Sequence, residues 1–197
     1  MSKHYAESSS ATNGQEAFLH QLIAETSDKL RIRSELLNNL MAGRDTSASM
    51  LANAVFELAR HPEAWARLRE EVDALHGSLP THEQLQNMPY LRAVFNESMR
   101  LYPQLPENGR VALEDTVLPA GGGQDGMAPV FVPKGQVVMW GTYALHRRQD
   151  IFGDDADEFN PDRWLDTKDK PAIKPGWGYL AFGGGPRVCM GRKFLFI

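Results

Sequence analysis

A single cysteine, Cys189, stands among 197 residues, so no disulfide can close within the chain. A lone thiol suits a reducing compartment, where it serves as packing, ligand or nucleophile. Long apolar runs are missing as well: none approaches the ~18 residues of a membrane span. The N-terminal stretch MSKHYAESSSATNGQ is polar and serine-rich. It lacks the apolar core of a secretory signal and reads as a flexible lead-in. Positive charge is not in excess, with 21 Lys and Arg against 25 Asp and Glu; this balance gives no nucleic-acid footprint. The six histidines are scattered, and with one cysteine they provide no zinc-ligand spacing. No internal repeat is present. What remains is ordinary globular composition, 42% hydrophobic and 23% charged, in a chain long enough for one domain with a substantial core.

The organisation is helical first and mixed later. From about Lys29 to Arg60, Leu30, Leu37, Leu40, Met41, Leu51, Ala54, Val55 and Leu58 fall at helical spacings. A helix of that length would span roughly 48 Å. HPEAWARLREEVDAL follows, with Pro62 as a start signal. LPTHEQLQNM predicts a short helix, and PYLRAVFNESMRLYP another, bounded by Pro89 and Pro103. Beyond Pro103, NGRVAL, TVLP, VFVP and QVVMW are short β-prone pieces separated by AGGGQDGMAP and PKG. They suggest small hairpins rather than a large sheet. From Asp150 to Phe182 Pro, Gly and Asp dominate, and the backbone is expected to meander. The fold class is therefore mainly α with small β-hairpins.

The densest signal closes the chain. Phe182-x-x-Gly185-x-Arg187-x-Cys189-x-Gly191 fixes five positions, a chance match on the order of 10⁻⁴. A thiolate metal ligand must be held deprotonated. Backbone N–H groups of a tight turn and a helix N-terminus favour that charge. Gly183, Gly184, Gly185 and Gly191 let the backbone pass close to a flat partner without a Cβ collision. Arg187 has the planar fork that pairs with a carboxylate. The plain alternative is a buried structural cysteine in a glycine turn.

This segment resembles the cysteine-ligand loop of the cytochrome P450 haem-thiolate monooxygenases. Three more signatures follow that family's order. AGRDTS (Ala42 to Ser47) resembles the oxygen-binding groove of its long central helix. ESMR (Glu97 to Arg100) resembles its Glu-x-x-Arg motif, and FNPDRW (Phe159 to Trp164) the meander whose arginine joins that motif. The resemblance covers nearly everything from about residue 28 onward. It divides the chain into a polar lead-in with a possible short helix (1–27) and a partial haem-binding monooxygenase domain (28–197). Family members are more than twice this long, so the resemblance is to the C-terminal part of the fold, truncated at both ends.

The resemblance implies roles residue by residue. Cys189 would be the axial ligand of the iron of haem b (iron protoporphyrin IX), with Phe182, Gly185, Arg187 and Gly191 shaping the cofactor-binding loop. Arg187 would reach a haem propionate, and so would Arg110; a strand-surface arginine is the alternative for Arg110. His146 in ALHRRQDIFG either approaches the propionates or simply packs and bonds backbone. Gly43 inside a helix costs about 1 kcal/mol relative to alanine. The Thr46 hydroxyl could bond back to the Ala42 carbonyl and open the helical ladder there. Thr46, helped by Asp45, would then relay protons to the oxygen-activating centre; a surface Asp-Thr pair on a kinked helix is the plain alternative. Glu97 and Arg100 stand one turn apart, which as an exposed pair stabilises by ~0.2–0.5 kcal/mol. The family reading adds Arg163 and makes the three a buried structural triad holding the cysteine loop.

Within the family, LPENGRVALEDTVLPAGGGQDGMAPVFVPKG and ALHRRQDIFGDDADEFNPDRW resemble the fungal alkane and fatty-acid hydroxylases. The implied reaction inserts one oxygen atom from O2 into a C–H bond of a long hydrophobic chain. Electrons would come from NADPH through an NADPH–cytochrome reductase, with the nucleotide not bound by this chain. Full-length relatives would sit on the cytosolic face of the endoplasmic reticulum membrane, although this chain shows no anchor or targeting segment. The other reading is a catalytically inactive remnant acting at most as a binding or regulatory fragment.

Overall fold

The computed structural model describes residues 18–168 and 170–192. By its internal contacts the chain forms two compact units, residues 1–46 and 47–197.

In the first unit, α1 (Phe18–Glu25) precedes the start of the long helix α2 (Lys29–Arg60). Asp28 caps α2: its Oδ1 accepts from the N–H groups of Leu30 (2.9 Å) and Arg31 (3.2 Å). Those donors would otherwise lack intrahelical partners.

The second unit takes the C-terminal part of α2, where Met50, Ala54, Glu57 and Leu58 turn inward. Helix α3 (Pro62–Asp73) opens with proline at its first position, where a missing N–H costs nothing. Helix α4 (His82–Gln86) carries a full capping box, with Thr81 and Gln84 bonding reciprocally. Helix α5 (Pro89–Leu101) also begins with proline. Its next two N–H groups, of Tyr90 and Leu91, donate to the two carboxylate oxygens of Glu71 on α3, at 3.0 and 2.8 Å. A carboxylate at a helix N-terminus gains from both the bonds and the dipole.

Ala54, Leu58, Ala64, Tyr90 and Val94 form the apolar core, bordered by Leu68, Phe95, Phe159 and Leu165. Complete burial of a Leu or Val contributes about 1.5–3 kcal/mol. The apolar stripe of α5 therefore fixes that helix firmly, and α5 carries the polar groups described below.

The β-prone pieces make two antiparallel pairs. β2 (Thr116–Gly122) and β3 (Ala128–Val132) form a hairpin. β1 (Glu107–Val111) and β4 (Val137–Gly141) flank it in sequence and pair from Glu107 with Gly141 to Val111 with Val137. Only the first pair is a local hairpin. β2 also runs past TVLP into the glycines. Its register breaks between Leu118 and Gly122, around Pro119, which has no N–H for the ladder. Gly121, at φ 118°, supplies the backbone angle this irregularity needs.

Two short helices, α6 (Thr142–Leu145) and α7 (Gln149–Phe152), interrupt the segment after β4. The remainder is loops and 3-10 turns, including Pro161–Trp164, Gly185–Arg187 and Met190–Arg192. The final residues, FLFI with Lys193 before them, are a run that reads as the start of a helix, and they lie outside the described residues. Among the described residues no helix is long and apolar enough to cross a membrane.

Candidate functional site

Glu97, on the buried face of α5, is the centre of a polar hub. Its Oε1 accepts from Arg100 Nη2 (2.8 Å), Arg163 Nε (2.9 Å) and the Asn160 N–H (2.9 Å). Its Oε2 accepts from Arg100 Nε (2.8 Å) and Trp164 Nε1 (2.9 Å). Glu97 and Arg100 are fully buried and Arg163 nearly so. Both arginines also donate to backbone carbonyls. Arg100 reaches those of His146 (2.9 Å), Glu158 (2.9 Å) and Ala156. Arg163 reaches Phe152 (2.8 Å) and Asp155 (3.0 Å). The Asp155 carboxylate accepts from Arg163 at 3.0 Å, so two arginines face two carboxylates. Burial pushes the Asp155 carboxyl up, but bonds from Asn160 and Arg163 outweigh it and hold the group below the usual carboxylate range. Such a hub joins α5 to the loop between α7 and Trp164. Buried charges survive only when paired and bonded in this way.

His146 adjoins the hub and is completely buried. Its Nε2 accepts from the Leu180 N–H at 2.8 Å, so Nδ1 carries the proton and donates to the Arg100 carbonyl at 3.2 Å. The ring stacks on Tyr179 at 4.9 Å and meets Phe152 edge-on at 6.4 Å. Burial pushes its pKa down to about 4. The Tyr179 hydroxyl donates to the Asn96 carbonyl at 3.1 Å, and burial raises its pKa.

The cysteine loop begins at Phe182, three residues beyond Tyr179. The Gly183 N–H donates to the Leu180 carbonyl (2.9 Å), and the Cys189 N–H to the Phe182 carbonyl (2.9 Å). The Val188 N–H bonds to the Gly185 carbonyl (3.1 Å), and the Arg192 N–H to that of Cys189 (3.3 Å). Gly183 (φ 70°) and Gly185 (φ 65°) occupy the left-handed region that a side chain resists. A Cβ on Gly184 would enter the Trp177 ring, whereas one on Gly191 would make only an ordinary 3.6 Å contact with Cys189 Sγ. Cys189 is a free, exposed thiol, and Arg187 is exposed in the turn before it.

The other candidates make contacts of their own. Thr46 donates its hydroxyl to the Ala42 carbonyl at 2.6 Å, yet α2 continues without a break. The back-bond therefore adds to the helix there rather than ending it. A Cβ on Gly43 would meet nothing within 4 Å, and Asp45 is exposed, 3.9 Å from Arg44. Arg110 bonds its own strand, to the Gly109 carbonyl (2.7 Å) and Asn108 Oδ1 (3.2 Å), with its guanidinium 5.3 Å from the Trp140 ring centroid.

Several polar groups escaped the sequence reading. Asn160, Trp164 and Asp155 sit in Asp-rich meander sequence and become hub members only through pairing at long range. Glu57 reads as part of the polar face of α2, but it is buried and accepts from the Tyr102 hydroxyl, with His61 beside it at 3.3 Å. The i,i+4 spacing of Glu57 and His61 was the only local signal for that cluster.

The loop's chemistry fits haem. Among the described residues no three His, Cys, Asp or Glu side chains come together as a metal site. One soft thiolate on an exposed turn suits an iron whose other ligands a macrocycle supplies. The glycine turn leaves that thiol exposed.

The model of the family described as Cytochrome P450 matches residues 1–194. Cytochrome P450 monooxygenase himC of Aspergillus japonicus is 49% identical over 184 residues, covering 93% of this chain and 32% of that protein. Cytochrome P450 monooxygenase fsdH of Fusarium heterosporum is 46% identical, covering 91% and 31%. Cytochrome P450 52A6 of Candida tropicalis is 45% identical, covering 90% and 34%. The class is thus a haem-thiolate fold, seen here as its mainly α part with small antiparallel sheets. The chain belongs to the cytochrome P450 family and spans about a third of the length of these relatives.

Proposed function

We propose that these residues form part of a haem-thiolate monooxygenase that inserts one oxygen atom from O2 into a C–H bond of an alkane or fatty acid. The observation that carries this reading is the cysteine loop, where a single exposed thiol follows two left-handed glycines and an arginine. The relatives himC and fsdH are named as monooxygenases. The glycine-rich hairpin between Leu105 and Gly135 is the basis for the long-chain substrate.

When bound, haem b supplies a thiolate-ligated iron able to activate O2. Cys189 would present its thiolate to that iron, with Phe182, Gly185 and Gly191 keeping the loop close to the macrocycle. Arg187 and Arg110 would pair with propionates, for which Arg110 must leave its own strand's carbonyl. Thr46 would hold a proton at its hydroxyl and Asp45 would replenish it. Glu97, Arg100 and Arg163 would act structurally, by holding the elements around the loop. Electrons would arrive from NADPH through a reductase at the endoplasmic reticulum membrane.

Replacing Cys189 with serine in a full-length P450 carrying these residues tests the reading. The expected result is loss of the red-shifted Soret band of the reduced carbon-monoxide complex. A variant that keeps this band would overturn the assignment.

A further inference from the structure

We propose that His146 is a positioning residue for the cysteine loop, acting through the backbone of Leu180. The inference rests on the reading of Cys189 as the iron ligand for its consequence, but not for its geometry. On one side, Nδ1–H of His146 donates to the carbonyl of Arg100, in the last turn of α5. On the other, Nε2 accepts the Leu180 N–H at 2.8 Å. The Leu180 carbonyl then receives the Gly183 N–H, and the neighbouring Phe182 carbonyl receives the Cys189 N–H, each at 2.9 Å. One imidazole therefore ties the anchored helix to the first turn of the thiol-bearing loop.

Three features make the tie rigid. Stacking on Tyr179 and edge contact with Phe152 fix the ring plane. The Arg100 guanidinium bonds the His146 carbonyl at 2.9 Å, so the residue's backbone is held by the same hub. Complete burial excludes competing water, and in such surroundings an unpaired amide is costly. Within the loop the turns are short, and Cys189 and Arg187 are exposed. Left-handed glycines widen the conformations open to it before haem binds. Fixing the Leu180 amide narrows them.

Imidazole offers two nitrogens at different reaches, and two amide replacements separate them. In His146→Gln the side-chain oxygen reaches the former Nε2 position and can accept from Leu180. In His146→Asn the shorter amide reaches only the Nδ1 position and keeps the bond to Arg100. Both variants are made in a haem-loaded, full-length P450 carrying these residues. Backbone amide exchange is read at Leu180, Gly183 and Cys189, beside the reduced carbon-monoxide spectrum. Exchange at these amides should rise about tenfold in His146→Asn, the effect of one lost buried hydrogen bond. The spectrum should move partly from thiolate type to thiol type, and His146→Gln should restore both towards wild type. The proposal is overturned if the two variants behave alike, whether by leaving the loop protected or by unfolding the α5 hub as well. If the exchange pattern separates them but wild-type protein shows no thiolate spectrum, His146 positions the loop and the haem-thiolate reading fails instead.

Discussion

At the scale of single residues, the left-handed glycines and Thr46 make separable demands. Gly185 has φ 65° and open space around its missing side chain. Gly185→Ala should therefore cost only the backbone term, about 1–2 kcal/mol, read as a lower urea midpoint. Gly191 has no left-handed backbone, and among the described residues a Cβ there would meet only Cys189 Sγ, at an ordinary 3.6 Å. Gly191→Ala should leave the haem-free protein's stability within about 0.5 kcal/mol, so any loss of haem binding would report contact with the cofactor. Equal destabilisation by the two alanines would refute this distinction. Thr46 bonds back to Ala42 on an intact helix, so alanine there should not weaken folding by more than about 0.5 kcal/mol. In full-length enzyme Thr46→Ala should continue to consume oxygen while releasing more peroxide per product. Unchanged coupling would count against a relay at this hydroxyl.

At the scale of elements, α5 is the beam on which the hub is built. Five N–H donors converge on Glu97, so Glu97→Ala leaves two buried arginines short of charge. Removing one partner of a buried ionic cluster costs about 3–5 kcal/mol. The variant should lose haem incorporation and soluble yield before any change in selectivity. Normal holoprotein with merely slower turnover would show the hub is not structural. The helix itself was legible because proline at its start and an apolar stripe are local signals. Glu97 and Arg100 were readable as neighbours, one turn apart. Arg163 came only through the family resemblance, and Asn160, Asp155 and Trp164 carried no local mark of burial. The strand pieces were equally visible, but β1 pairs with β4 across an intervening hairpin. Local propensity cannot specify such a partner. Pro119 also concealed the extension of β2, since its missing donor reads as a strand end although pairing resumes at Gly122.

At the scale of the whole molecule, the buried imidazole should govern response to mild acid. His146 is buried as the neutral tautomer, with burial first and the nearby Arg100 and Arg147 charges lowering its pKa to about 4. In the unfolded chain the same group titrates near 6.5. Between these values the unfolded state binds the extra proton, so folding stability must fall as pH drops from about 6.5 towards 4. The full shift corresponds to about 3 kcal/mol. In the folded state protonation comes only near pH 4, where it turns Nε2 into a donor facing the Leu180 N–H and loosens the loop. Asp155 acts later: its carboxyl is held below the ordinary range, so its contribution persists above about pH 4 and is lost only below it. Urea unfolding of haem-loaded protein across about pH 3–7.5 should therefore show a midpoint that declines from about 6.5 downward. His146→Gln, which cannot titrate, should start less stable at pH 7.5 but decline much less over that interval. Its curve should rejoin the wild-type slope below pH 4, where carboxylates take over. Parallel curves for the two proteins between pH 6.5 and 4 would mean that the buried imidazole is not what makes this fold acid-sensitive.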